Sequence, residues 1–222
     1  MRYEKLKIVD LIIRLQFKEF EEHYNIISTR PNVVWVSAVV QCPMKWVFLK
    51  KYPEISKADI KGYYVLGKAV HYGIQWLLQN YPHDLGFDFV EVEQNVEKIV
   101  DLDTDTKIVL SGRVDAIGYR DHSEYLEKTV IEIKTARSDI GIPHQHHVDQ
   151  LRIYMNMVNA QRGILLYITP DRITEFEIEN PMSDEELLEL LENFMELKSP
   201  RFDWECQYCI YSGFCPKKIA RR

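Results

Sequence analysis

Glycine and proline are scarce, with nine of each in 222 residues, and no repeat or low-complexity run is visible. Collagen-like and disordered classes are excluded, because 46% hydrophobic and 28% charged residues are ordinary globular proportions. Long apolar runs are also missing: the longest, 33–40, has eight residues, whereas a bilayer span needs about 20. The first residues show no apolar signal segment or small-residue cleavage site, so we expect a cytoplasmic protein.

The net charge of −6 argues against a generally basic nucleic-acid-binding protein, but the charges are unevenly distributed. Residues 41–80 carry six lysines against two acids, and residues 206–222 carry four basic residues and no acid. Residues 171–205 carry twelve acids and three bases, and they account for the negative total. The two basic segments could therefore bind a phosphate backbone, although lysines on a solvated surface would give the same counts.

All four cysteines lie in the two basic segments, at Cys42, Cys206, Cys209 and Cys215. Thiols stay reduced in a cytoplasm, so closely spaced cysteines there are typical of metal sites rather than disulfides. Three local thiolates and one distant one suit a four-cysteine iron–sulfur cluster and structural zinc equally well. A proline after Cys42 and after Cys215 weakly favours iron. Either centre would bring the two basic segments together.

Hydrophobic periodicity predicts an α/β fold in the order helix, three strands, helix, two strands, helix, after an N-terminal helix. The predicted helices are 1–24, 65–79, 148–160 and 184–197, and the predicted strands are 87–96, 108–119, 129–135, 164–169 and 175–178. This order indicates a sheet with an antiparallel first half and a helical crossover.

Local signals predict where some helices begin and end. Ser183, with Glu186 three residues later, is a capping box that begins the last helix. We expect Ser37 to cap a helix that begins at Ala38, and Gly163 to end the helix that precedes it.

Asp115 and Glu132 are the candidate catalytic acids. Side chains alternate along a strand, so Glu132 and Lys134 share one face of the third predicted strand. If the second and third strands pair, Asp115 lies beside Glu132, and the two carboxylates repel unless a cation lies between them. Mg²⁺ or Mn²⁺ would suit this position, because hard divalent ions prefer oxygen ligands. An edge salt bridge with one exposed acid is the alternative.

Three further polar residues are weaker candidates when each is taken alone. His71 shares a helical stripe with Gly67 and Gln75, where a lone histidine is more often packed or solvated than a ligand. Gln150 and Tyr154 lie at i and i+4 on one helix face. Their amide and hydroxyl could hold a phosphate oxygen, although an ordinary helix-surface pair explains them as well.

Taken in chain order, the strings GKxxH, GxxD, ExK and QxxxY resemble the RecB-like branch of the PD-(D/E)xK nucleases. The residues concerned are His71, Asp115, Glu132 with Lys134, and Gln150 with Tyr154. One cysteine before this set and C-x2-C-x5-C after it narrow the resemblance to the CRISPR-associated exonuclease family four. It covers about residues 35–216, and it is specific because independent matches multiply.

The resemblance implies a restriction-endonuclease-like fold, a RecB-type mixed sheet flanked by helices with cluster-binding segments at both ends. It divides the chain into an N-terminal helical segment at 1–34, a nuclease core at 35–205 that includes Cys42, and a cysteine-containing segment with a basic tail at 206–222.

The resemblance also implies metal-dependent exonuclease action on DNA, mainly on single-stranded ends, to trim prespacers beside the CRISPR integrase proteins. Its implied metal ligands for Mn²⁺ or Mg²⁺ are His71, Asp115, Glu132 and the Ile133 carbonyl. The implied catalytic residues are Asp115, Glu132 and Lys134, and the implied DNA-binding residues are Gln150 and Tyr154. The four cysteines would hold an iron–sulfur cluster, with 4Fe–4S favoured over 2Fe–2S. No membrane partner is implied, and a homo-oligomer is compatible.

Two other functions fit the same residues. The first is a RecB-like nuclease of general recombination or repair, although no Walker phosphate loop marks a helicase in this chain. The second is a non-catalytic, metal-stapled subunit that binds DNA ends, which the set Asp115, Glu132 and Lys134 disfavours.

The sequence also leaves the roles of several aromatic residues and histidines open. Trp204, Tyr208, Tyr211 and Phe214 interleave with the cysteines and the basic tail. They suit stacking on unpaired bases or an apolar shell around a cluster, and we favour the shell. His144, His146 and His147 lack partner carboxylates, and we expect them in a solvated or DNA-facing loop.

Overall fold

The central strand of the computed structural model, which describes residues 7–219, is β3 (Lys107–Asp121). It belongs to a six-stranded mixed sheet with the order β1-β3-β4-β5-β6, and β2 pairs with β3 outside this path. The other strands are β1 (Val33–Trp35), β2 (Phe89–Asp101), β4 (Leu126–Thr135), β5 (Arg162–Ile168) and β6 (Ile173–Ile178).

Helices pack against the sheet, and helices also precede its first strand and follow its last strand. They are α1 (Ile8–Thr29), α2 (Val36–Val39), α3 (Pro43–Lys51), α4 (Pro53–Ala58), α5 (Gly62–Asn80), α6 (Gln145–Val158), α7 (Asp184–Met195) and α8 (Glu205–Tyr208). A 3-10 turn at His83–Leu85 leads into β2. Between residues 7 and 219, no helix combines the length and the apolar character that crossing a bilayer requires.

The predicted α/β class is confirmed. β2, β3 and β4 form the antiparallel first half, and α6 is the crossover between the parallel pair β4 and β5. The short helices α3 and α4 were not predicted. The first helix continues to Thr29, five residues past its predicted end, and residues 1–6 of that prediction lie outside the described residues.

Two predicted boundaries are wrong. Ser37 lies inside α2, whose N-cap is Trp35, so its backbone is already helical where a cap must be extended. Gly163 lies inside β5, and α6 ends at Asn159 in a left-handed conformation, with φ of 57°. A Cβ at Gly163 would come within 2.7 Å of the Met155 sulfur. This glycine therefore permits close packing between helix and strand.

The capping box of the last helix is confirmed. The Ser183 hydroxyl accepts the Glu186 N–H at 3.1 Å, and the Glu186 carboxylate accepts the Ser183 N–H at 2.8 Å.

One edge of β3 is shared by two strands and contains a gap. β2 occupies the opposite edge in antiparallel register. On the shared edge, β1 pairs in parallel with residues 109–111, and β4 pairs antiparallel with residues 116–121. In the described part of the chain, residues 112–115 have no strand partner on this edge. The GxxD string occupies this gap.

At the gap, the side chains of the β2–β3 hairpin also change the face of the sheet on which they lie. Val114 packs in the core beneath α6, whereas Ala116, two residues later, packs beneath α5. Val92 and Val96 show the same change on β2, and between them Glu93 has a φ of 54°. A regular strand would keep these pairs on one face. Asp115 therefore lies where the two cores meet.

Candidate active site

Asp115 links the end of the β3–β4 ladder to α5. The last ladder pair is Ala116–Ile131. One residue further, Asp115 Oδ2 accepts the Ile133 N–H at 2.8 Å in place of a backbone acceptor. The other oxygen, Oδ1, lies 3.3 Å from His71 Nδ1. Strands β3 and β4, together with helix α5, thus bring together the side chains of His71 and Asp115 and the backbone of Ile133.

Glu132 is a buried acid with an unsatisfied oxygen. Its side chain is 3% exposed, and Oε1 accepts from Lys134 Nζ at 2.7 Å. Oε2 has no hydrogen-bond partner among the described residues. Burial and, second, the charge of Asp115 raise the pKa of Glu132 to about 7. An orphaned buried oxygen costs about 1–3 kcal/mol, so the carboxylate lies in a position that favours a cation.

Lys134 and the QxxxY pair complete this side of the site. Lys134 Nζ also donates to Gln150 Oε1 at 2.9 Å. Tyr154, one turn further along α6, is 3% exposed, and burial, followed by the charge of Glu132, raises its pKa. A Cβ at Gly112 would lie 2.5 Å from Tyr154 Cε1. The glycine of GxxD therefore makes room for the tyrosine of QxxxY.

The structure adds Glu93 to the residues found from sequence. Gln75 of α5, which is 3% exposed, donates to the Asp115 carbonyl at 3.2 Å and to the Glu93 carboxylate. Glu93 also forms an ion pair with Arg113 at 2.7 Å. Arg113 is thus engaged by a neighbouring acid. The sequence offered only the Val/Glu alternation of this strand, which does not distinguish Glu93 from its neighbours.

A cavity of about 740 Å³ opens over His71 and Asp115. α1 supplies the opposite wall through residues that include Glu19 and Glu22. Lys68 of α5 forms an ion pair with Glu19 and ties this wall to the site helix. The site is therefore concave, as a ligand site should be.

His71 and Asp115 at this cavity, together with the buried Glu132 that interacts with Asp115, fit a divalent ion by their chemistry. Among residues 7–219, no three His, Cys, Asp or Glu side chains converge closely enough to enclose a metal. However, His71, Asp115 and Glu132 offer one nitrogen and two repelling carboxylates, and one of those carboxylate oxygens lacks a partner. A divalent cation would remove both the repulsion and the unsatisfied oxygen.

The four cysteines meet at a second place. All four, Cys42 at the start of α3 and the three around α8, line one small cavity. None is in a disulfide. Burial raises the pKa of Cys209, and its neighbours Cys42 and Cys215 act in the same direction. Four thiols on one cavity are the donor set of a four-cysteine metal centre, but the described side chains do not lie close enough together to enclose an ion.

Glu205 joins the same two segments independently of any metal. It is 1% exposed, and its carboxylate accepts backbone N–H groups of Cys42 at 2.7 Å, Arg201 at 3.1 Å and Phe202 at 2.9 Å. Lys45 Nζ lies 3.8 Å away. The sequence showed Glu205 only as one acid of a strongly acidic stretch, so this role was missed.

The aromatic residues near the cysteines divide into two groups. Tyr211 and Phe214 pack on Phe48, with ring centroids 5.3 and 5.2 Å away, and Phe48 and Tyr211 form a core with Cys42. The apolar shell is thus observed for these rings. It is wrong for Trp204, which packs on His146 and Phe202 instead.

The histidines that were predicted to lie in a loop lie instead at the start of a helix. His144 is the N-cap of α6, and His146 and His147 lie in its first turn. His147 Nδ1 hydrogen-bonds the buried Tyr167 hydroxyl, and that hydroxyl also accepts the His144 N–H at 3.0 Å. Helix start and hydrogen bonds hold these residues in place, so they are not a solvated loop.

Comparisons with known proteins show the family to which this chain belongs. The model of the PD-(D/E)XK nuclease superfamily matches residues 76–216. CRISPR-associated exonuclease Cas4 of Saccharolobus solfataricus is 37% identical over 206 residues, which cover 91% of this chain and 96% of that protein. The crystal structure of SSO0001 is 33% identical with a TM-score of 0.85, covering 97% of this chain and 100% of that one. An alkaline exonuclease from Laribacter hongkongensis, 14% identical with a TM-score of 0.50 and covering 80% of this chain and 91% of its own, shares the fold alone.

Fold, site and superfamily match together define a nuclease of the PD-(D/E)XK class, a class whose members use divalent metal ions. Within that superfamily, the chain belongs to the family of CRISPR-associated exonuclease Cas4.

Proposed function

We propose that this chain is a divalent-metal-dependent exonuclease that degrades single-stranded DNA from an end and trims prespacers for CRISPR spacer acquisition. The observation that carries the proposal is the buried Glu132, with one oxygen held by Lys134 and the other unsatisfied beside Asp115.

The residues around the gap in β3 would divide the work. His71, Asp115, Glu132 and the Ile133 carbonyl would hold Mn²⁺ or Mg²⁺. When bound, such an ion lowers the pKa of a coordinated water and polarises the scissile phosphate. Lys134 is held between Glu132 and Gln150 at 2.7 and 2.9 Å, where its ammonium can orient a water or offset developing charge.

Gln150 and Tyr154 would position the DNA strand. Both are buried on the α6 face that contacts Lys134, so they would act on the strand only where it meets the catalytic lysine. α1 also lines the cavity over His71 and would border a bound strand there. The exonuclease mode is supported by the printed name of the Saccharolobus relative.

The second part of the proposal is an iron–sulfur cluster on Cys42, Cys206, Cys209 and Cys215, of 4Fe–4S type. Its support is the single cavity that these residues line. We assign the cluster a structural role, because it would fasten the segment 206–222 to the nuclease core at 35–205. We further propose that residues 1–34 form a separate N-terminal helical segment of the chain.

The catalytic proposal is tested with purified protein, Mn²⁺ and end-labelled oligonucleotides. Lys134→Ala should lower the rate on single-stranded DNA by roughly 100-fold or more. Lys107→Ala, an exposed lysine at the start of the same sheet strand β3, is the matched control and should cleave at the wild-type rate. Equal cleavage by wild type and Lys134→Ala would show that the assigned site is wrong.

Two further substrates separate the competing functions. Circular single-stranded DNA should resist cleavage, whereas its digestion would indicate an endonuclease. Wild type that binds DNA ends without cleaving them would support the non-catalytic subunit. Prespacer trimming is tested by adding the integrase proteins: wild type should shorten overhangs before integration, and Lys134→Ala should leave them long.

A further inference from the structure

One face of α6 connects Lys134, the proposed catalytic lysine, with a group of aromatic side chains. His146, Gln150 and Tyr154 follow one another at intervals of four residues, so they lie on one face of the helix. Gln150 accepts from Lys134 Nζ at 2.9 Å. His146 therefore lies about 6 Å along the helix axis from Gln150, the side chain that holds the catalytic ammonium.

Two rings from the chain segment before α8 pack on His146. The Trp204 ring centroid is 5.2 Å from the His146 centroid, and the Phe202 centroid is 6.1 Å away. Phe202 and Trp204 are nearly parallel, at 14° and 5.8 Å. Trp204 remains 40% exposed. The three rings thus form a compact aromatic surface that is open to solvent on the Trp204 side.

The electrostatic surroundings of these rings suit a phosphate chain. Burial and neighbouring positive groups, which include Lys134, Lys45 and Arg201, lower the pKa of His146 to about 4. Its ring is therefore neutral at pH 7. Each of these cations also pairs with an acid, Lys134 with Glu132, Lys45 with Glu205 and Arg201 with Asp149, which reduces its contribution. A neutral aromatic surface bordered by cations is the arrangement that proteins use to bind unpaired bases and their backbone.

These rings are not explained by the cysteine centre. The apolar core around Cys42 consists of other side chains, among them Phe48 and Tyr211, and the cysteine cavity is lined without Phe202 or Trp204. Trp204 is 40% exposed and packs on His146 rather than on the cysteines, so it is better suited to contact a ligand than to shield sulfur.

We infer that His146, Phe202 and Trp204 form a base-stacking platform that binds unpaired nucleotides of single-stranded DNA next to the catalytic centre. The inference rests on the proposed function, because it supplies the bases adjoining the phosphate that this site would cleave. On this assignment the nucleotides next to the cleaved phosphate stack on the solvent-exposed side of Trp204.

The test is binding without divalent metal, which separates the platform from catalysis. Full-length protein is titrated into a labelled thymidine oligonucleotide and into an oligonucleotide of equal length with abasic sites. Wild type should prefer the thymidine strand. Trp204→Ala should weaken that binding by about 5- to 30-fold, and Trp204→Tyr should restore most of it. Trp76→Ala, a 56% exposed tryptophan on α5, is the matched control and should bind like wild type.

The outcomes distinguish the two proposals. If Trp204→Ala weakens both oligonucleotides equally, or neither, the platform is wrong, whatever the enzyme cleaves. If wild type prefers the thymidine strand through Trp204 but does not degrade it with Mn²⁺, the platform stands and the exonuclease proposal fails. Thermal unfolding of Trp204→Ala checks that the fold is intact.

Discussion

The carboxylate of Glu205 accepts the backbone N–H of Cys42 at 2.7 Å, although 163 positions separate the two residues. The same carboxylate accepts two further backbone N–H groups from residues 201 and 202. Beginning and end of the nuclease core are therefore joined by hydrogen bonds beside the cysteine cavity. These hydrogen bonds involve no sulfur, and they hold Cys42 beside the segment that carries the other three thiols.

Glu205→Ala should destabilise the protein by about 2–4 kcal/mol, because it leaves buried backbone N–H groups without an acceptor. Chemical denaturation of metal-free protein measures the change. Asp203→Ala, an exposed acid two residues earlier, is the control and should have little effect. A loss smaller than about 0.5 kcal/mol for Glu205→Ala would show that the joint does not stabilise the fold.

Gly112→Ala should displace Tyr154, because the added Cβ would lie 2.5 Å from its ring. We expect at least a tenfold loss of nuclease rate and a destabilisation of about 1–3 kcal/mol from overpacking. Gly73→Ala, inside α5, has no atom within 4 Å of the new Cβ and should stabilise the helix slightly. Rate and melting temperature are measured on both variants. Wild-type rates for Gly112→Ala would mean that Tyr154 is not needed in its observed position.

The stability of metal-free protein should depend on Glu132. Burial raises the pKa of this acid from 4.5 to about 7, so the folded state binds its proton more tightly than the unfolded state does. The contribution of this group to stability is therefore present below about pH 4.5 and is lost as the pH rises towards 7. Glu132→Gln should be more stable than wild type at pH 8 in chelator, by on the order of 2 kcal/mol.

Adding Mn²⁺ should reverse that order. The ion should raise the melting temperature of wild type and raise that of Glu132→Gln much less. Glu175→Gln, an exposed acid on β6, should respond to the ion as wild type does. An equal Mn²⁺ response in wild type and Glu132→Gln would remove Glu132 from the metal site.

The cysteine centre should be visible in anaerobically purified protein. We expect a brown colour, iron in the sample and visible absorption that disappears in Cys209→Ser, because one thiolate ligand is lost. Ser212 lines the same cavity but carries no sulfur, so Ser212→Ala is the control and should keep the absorption. Colourless protein with stoichiometric zinc would contradict the iron assignment and leave the nuclease proposal standing.

The sequence predicted the parts of the site that depend on local order. Asp115 and Glu132 lie on consecutive strands, so pairing of neighbours with the usual alternation already placed them together. The α/β class followed in the same way from the strand and helix periods. The capping box at Ser183 was readable because all its atoms lie within four residues.

The parts that were missed depend on contacts between distant segments. Glu93 matters because the hairpin turns over at that point, and a period-two pattern cannot show a change of phase in advance. Glu205 matters because Cys42 lies beside it in space only. Trp204 was assigned to the cysteines by nearness in sequence, whereas α6 brings His146 to its ring. In each case tertiary packing, rather than local propensity, decided the outcome.

β1 holds β3 just before Asp115, and β4 holds it just after. The acid is thus anchored from both sides, and the hairpin loop at residues 102–106 has no part in fixing it. That loop can change its length during evolution without moving the acid. The number of residues between Ser111 and Ala116 cannot change in this way. One added residue would shift Asp115 relative to both β1 and β4 at once.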